Sequence, residues 1–136
     1  MRRIKFRGIS KKSEKFIYGC LFTSIHPKTK KRVSFIFRDY DDYTTASDVE
    51  VIPDAVGQYV GQYEGQRDKN KKEIYEGDIL KAQDKKTKNI YNQEVYYDDE
   101  TLGFFVKDVD GSWYIDVDDE IIGNIYENRE LIETLS

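Results

Sequence analysis

Asp116, Asp118 and Glu120 alternate in the stretch DVDDE, with Asp119 between the last two. Alternate side chains of an extended chain share one face, so these three carboxylates could hold a hard cation such as Mg²⁺ or Ca²⁺. The same pattern also serves as a solvated strand edge that discourages pairing between sheets, and the sequence favours that use. DVDG at 108–111 resembles half of a calcium loop, but the next acid such a loop requires is missing. One Cys and one His cannot supply four soft ligands, which excludes a structural zinc site. Nucleophilic chemistry is served no better. His26 precedes Pro27 in a basic loop and is expected to be exposed, while Cys20 lies in an apolar run and is expected in the core. No catalytic residue, metal ligand or cofactor is assigned.

The cations make a different case. Arg2, Arg3, Lys5 and Arg7 surround Phe6, and a second basic group follows at Lys28, Lys30, Lys31 and Arg32. Positive charge beside a stacking ring suits contact with a single-stranded nucleic acid. Residues 1–38 carry twelve Lys or Arg and one acid, a net of +11, whereas residues 39–136 carry ten bases and twenty-five acids, a net of −15. The whole chain is acidic, with a pI near 5.1, and no nucleic-acid-binding signature accompanies the basic third. Packing between the two halves is the simpler expectation for such opposed charges.

The elements that must carry these groups are strands. Eleven Tyr and seven Phe supply much of the apolar content, and both residues suit half-buried pleated surfaces. RRIKFRG alternates charged and apolar residues, FIYGCLF and VSFIFRDY flank the loop TSIHPKTKKR, and VEVIP reads as a short strand stopped by Pro53. A second subdomain begins near Val56, where Gly57, Gly61 and Gly65 recur and argue for extended, bent backbone. QRDKNKKE reads as a solvated hairpin tip, followed by the turn and strand EIYEGDILKAQ. Strands are expected in NIYNQEVYY, GFFVKDV and IIGNIY, with a hairpin at Asp110-Gly111. ENRELIETL ends the chain as a turn or two of helix, capped by Asn128 and facing Leu131, Ile132 and Leu135 inward. The fold class is mainly β: an N-terminal antiparallel subdomain over 1–55, a small barrel or roll over 56–136 and a short C-terminal helical turn.

The 136 residues suffice for one domain or two small ones. A lone cysteine excludes an internal disulfide and fits a reducing compartment. No stretch approaches the roughly 20 apolar residues of a membrane span, so a cytoplasmic protein without membrane contact is expected.

VIPDAVGQYVGQYEGQRDKNKKEIYEGDIL and IIGNIYENRELIE, with the N-terminal IKFR, occur in the order typical of the YopX family of phage and prophage proteins, which this chain resembles along its whole length. The resemblance implies a small, mainly β protein with an SH3-like roll in its C-terminal part, encoded by phage or prophage genes. It carries no established activity and no catalytic residues. Two positions depart from the family pattern: Lys71 stands where the family places Gly, and Arg129 where it favours Pro. Lys71 is strained if that position requires positive φ.

The expectation is a non-enzymatic protein that binds an unknown protein partner or itself, with abundant Tyr suited to interfaces. The alternative is a nucleic-acid-binding module whose contacts are Arg2, Arg3, Lys5, Phe6, Arg7, Lys30, Lys31 and Arg32. A third is a metal-dependent hydrolase built on Asp116, Asp118 and Glu120.

Overall fold

The computed structural model describes residues 5–38, 48–60, 67–116 and 118–132. Arg2, Arg3, Gly61, Gly65, Leu135 and the segment DDYTTASD up to Ser47 lie outside these residues. The chain is mainly β and divides into two units between Tyr59 and Val60. The expected break at 55/56 falls inside a strand. Among the described residues no helix is long and apolar enough to cross a membrane.

The N-terminal unit is a closed antiparallel barrel of β1 (Phe6–Ser10), β2 (Phe16–Ile25), β3 (Arg32–Arg38) and β4 (Asp48–Gln58). Ile36 and Val51 are fully buried inside it, with Ser10 and Ser34 beside them. Gly8 faces Val51 so closely that a Cβ would lie 3.0 Å from the valine Cβ, so the absence of a side chain lets β1 approach β4. β4 does not stop at Pro53. Ser10 pairs with Val51 and Gly8 with Val56, so the register slips in between, and Pro53 occupies the bulge where its missing N–H breaks no regular ladder. Cys20 is exposed, which corrects the core position expected from its apolar run. It pairs with Phe37 on the face opposite Leu21 and Ile36, and only the Ile36 side fills the barrel.

The C-terminal unit contains β5 (Asp78–Gln83), β6 (Ile90–Asp98), β7 (Gly103–Asp108), β8 (Gly111–Trp113) and β9 (Glu120–Asn124) in the order β8-β7-β6-β5-β9. Closure thus belongs to the N-terminal unit, whereas the part expected to form a barrel or roll is a five-stranded antiparallel sheet. Its core is Val60, Ile74, Leu80, Val95 and Val106, backed by Phe104, Ile115 and Ile121. The C-terminal helix is only a 3-10 turn, Arg129–Leu131. Asn128 does not cap it: the Asn128 Oδ1 reaches back to accept the Asn124 N–H at 3.2 Å.

One loop design recurs. In the β1–β2, β2–β3 and β5–β6 loops the residue that opens the loop donates its N–H across the neck and accepts two loop N–H groups on its side chain. Ser10 Oγ takes Lys12 and Ser13, His26 Nδ1 takes Lys28 and Thr29, and Asp84 Oδ1 takes Lys86 and Thr87. Four residues on, the chain turns left-handed, at Glu14 (φ 61°), Lys30 (59°) and Lys88 (64°), and the β6–β7 loop does the same at Leu102 (57°). Lys71 is left-handed too, with φ 64°, and closes a tighter turn by donating its N–H to the Asp68 carbonyl at 2.9 Å. A non-glycine side chain there costs about 1–2 kcal/mol, partly offset by the entropy a glycine would lose. Lys71→Gly is therefore expected to raise stability by about 0.5–1 kcal/mol, seen as a higher urea midpoint at unchanged slope.

Candidate functional site

Antiparallel connectivity decides which groups meet. The end of β5, the start of β6, the end of β7, the start of β8 and the approach to β9 all lie at one end of the C-terminal sheet, since Lys81 pairs with Glu120 and Gln83 with Ile90. Aspartates open or close the turns at that end. Asp84, Asp108, Asp110, Asp116 and Asp119 consequently line one cleft of about 500 Å³. Its apolar walls are Tyr91 on β6, Trp113 at the end of β8, and Tyr114, which lies 5.6 Å from the Phe105 ring.

The carboxylates of Asp84, Asp108, Asp116 and Asp119 are each fixed by a backbone donor. Asp108 Oδ1 accepts the Asp110 N–H at 2.8 Å, and its Oδ2 accepts from the buried Gln93 amide at 3.1 Å. Backbone N–H groups of Thr87 and Lys86 hold Asp84 below the usual carboxylate range, so it stays a fixed negative charge. Asp116 Oδ1 takes the Asp118 N–H at 2.9 Å, and Asp119 Oδ2 takes the Asp116 N–H at 3.1 Å. Burial pushes the Asp119 carboxyl above its ordinary value; the Asp116 N–H works against that shift, and the charges of Asp116 and Asp118 reinforce it.

A raised native pKa makes folding favour the protonated form. The Asp119 contribution is fully present below its unfolded pKa and is lost as the pH rises through the folded one. Asp119→Asn, which keeps an oxygen for the Asp116 N–H, removes this loss. Its stability relative to the parent is expected to increase from about pH 3 upwards until Asp119 is fully ionised, then level off. Urea midpoints of both proteins across that range measure the difference, and a constant difference would refute it.

The alternating acids do not share a strand face. β9 begins only at Glu120, and residues before it form a turn in which the Asp119 N–H meets the Asp116 carbonyl at 3.1 Å. The Glu120 carboxylate pairs with Lys69 at 2.9 Å and that of Asp118 approaches Lys85 at 3.7 Å, while Asp119 turns inward. A turn aims successive side chains in several directions, and among the described residues no group of three or more His, Cys, Asp or Glu could hold a metal ion.

The basic candidates separate. Lys30, Lys31 and Arg32 are exposed together at the β2–β3 tip. Lys5 places its Nζ 5.7 Å from the Tyr18 ring centre, and Phe6 is half-buried on β1. Arg7 is only 5% exposed, with its guanidinium 4.3 Å from the Phe16 ring centre, which makes it part of the barrel wall. Asp108, Asp110, Asp116 and Asp119 stand in the two acidic runs that the sequence singles out, but spacing does not show that these runs and Asp84 share one cleft, because the three segments are apart along the chain. Their shared signal is position: each sits at or beside a strand end, where Asp accepts turn N–H groups.

A family model described as YopX protein matches residues 5–133. No curated protein matches the chain. Among solved structures, the crystal structure of protein EF1440 from Enterococcus faecalis is similar at 24% identity and a TM-score of 0.57, covering 98% of this chain and 100% of that one. The likeness to EF1440 is one of fold.

Proposed function

The chain belongs to the YopX family, and we propose that it is a non-enzymatic binding protein whose C-terminal cleft takes a basic segment of a protein partner. We place it in the cytoplasm of a bacterial host, encoded by phage or prophage genes. The observation that carries the reading is the union of five aspartates and three aromatic rings in one cleft. Fixed carboxylates answer a Lys or Arg head group, and Trp and Tyr faces attract the same cations while covering their methylene stems. Asp84, Asp108, Asp116 and Asp119 accept hydrogen bonds from their own turns, which holds them in place as acceptors.

Trp113 is the only tryptophan and lines the cleft, so its emission reports occupancy directly. Titration with a short Arg-rich peptide is expected to shift that emission saturably, with affinity falling as salt rises. Asp110→Lys should abolish the shift without changing the melting temperature. An unaltered Trp113 spectrum at low salt would end the proposal. If the chain itself supplies the basic segment, sedimentation will show salt-sensitive oligomers that Asp110→Lys disperses.

A further inference from the structure

β2 and β3 place one face inside the barrel and leave the other in solvent. The register pairs Cys20 with Phe37 and Phe22 with Phe35, which puts these residues and Tyr18 on the outer face. Tyr18, Phe22 and Phe37 are 43%, 53% and 45% exposed, unusually high for aromatic rings. Phe22 and Phe37 meet edge to face at 6.3 Å. Cations bracket the rings, with Lys5 over Tyr18 at one end and Lys30, Lys31 and Arg32 at the hairpin tip at the other. Residues 5–38 hold ten Lys or Arg against Glu14 alone. The acid that β4 presents opposite Phe35, Glu50, is neutralised by Lys11 at 2.7 Å.

We propose that this outer face of β2 and β3 binds single-stranded nucleic acid, independently of the cleft in the C-terminal unit. Tyr18, Phe22 and Phe37 stack unpaired bases, while Lys5, Lys30, Lys31 and Arg32 meet the phosphates. A second copy of the same face would bring like charges together, and a purely apolar partner would leave the cations unanswered. A flexible polyanion with flat π-faces answers both. Duplex nucleic acid offers the charge but keeps its bases stacked within itself, so the rings gain nothing from it. The span from Tyr18 to Ile25 is about 23 Å of strand, enough for about four nucleotides, the lower limit for small β-barrel sites.

The test uses the full chain and a fluorescent oligothymidylate of about twelve nucleotides. Anisotropy should show binding at about 20 mM salt that weakens steadily with added NaCl. Phe22→Ala and Phe37→Ala, both at exposed positions, should each weaken it about 5- to 100-fold, and Phe22→Tyr should restore it. Combining Lys30→Gln with Lys31→Gln should reduce the salt slope by about 1.4. Cys20 lies between the rings and provides a footprint: oligonucleotide at about ten times its Kd should slow Cys20 alkylation about tenfold. Any of three results would overturn the proposal. These are no binding at low salt, equal competition by polyglutamate with the Phe variants unaffected, or Cys20 alkylated at its free rate while the oligonucleotide is bound.

Discussion

Asp68→Ala is expected to lower the unfolding free energy by about 3–5 kcal/mol, a large part of what a domain of this size has. Asp68 is only 4% exposed although it stands in the most heavily charged run of the chain. Its Oδ1 accepts the N–H groups of Asn70 at 2.9 Å and Lys72 at 2.8 Å, which shapes the 67–73 hairpin. Its Oδ2 accepts the N–H of Ile121 at 3.1 Å, tying that hairpin to β9. Alanine leaves three donors without this acceptor in a place water reaches poorly, and each such loss costs about 1–3 kcal/mol before relaxation. The Lys69–Glu120 pair, half exposed on its lysine side, cannot hold the junction alone. Asp68→Asn should cost roughly half as much, since the remaining oxygen still serves the hairpin while its amide confronts the Ile121 N–H. Urea unfolding of the three proteins decides it; a loss under about 1 kcal/mol for alanine would show that the junction does not depend on this carboxylate.

Gly77→Ala is the second large effect, at about 2–4 kcal/mol. IYEGD forms a tight turn in which the Asp78 N–H meets the Tyr75 carbonyl at 3.0 Å and Gly77 adopts φ +94°. The buried Asp78 Oδ2 accepts the Tyr75 N–H at 2.8 Å, and Gly77 bonds to Val95 through its N–H and to Ile125 through its carbonyl. An alanine Cβ would be strained by that φ and would lie 3.0 Å from the Tyr126 ring. The two contributions separate in a double-mutant cycle. Against a Tyr126→Ala background the steric part disappears and the backbone part remains, so Gly77→Ala should cost about 1–2 kcal/mol there. Equal costs in both backgrounds would exclude the ring contact.

These two positions explain why YopX motifs were readable and yet silent about activity. IYEGD and IGNIYEN meet in space: Gly77 lies under Tyr126, and Asn124 Oδ1 holds the N–H groups of Tyr126 and Glu127 at 3.0 Å each. They encode a junction between strands. The strand alternation in FIYGCLF and NIYNQEVYY, and the hairpin at 108–111, were legible because period and turn chemistry are local. Pro53 within β4 was not, since only the partner strand β1 reveals the bulge that accommodates it. The outward side of Cys20 was hidden because an apolar run on a small barrel does not say which of its faces is inside. The cleft escaped notice for a related reason: Asp84 and Asp116 become neighbours only through the order of β5, β6, β7 and β9.

The left-handed loop residues have a consequence for how the chain folds. Of the five among the described residues, three are lysines and one is a glutamate, at positions where glycine would relax the backbone. Sheets that join distant segments form slowly, and while they form, apolar strands stay open to other chains. Charge at a hairpin tip keeps neighbouring molecules apart during that interval, as gatekeeper residues do beside unavoidable hydrophobic strands. Glu14, Lys30, Lys71 and Lys88 thus exchange some equilibrium stability for safer assembly. A variant with glycine at all of them would melt later, yet refold in lower yield as its concentration rises.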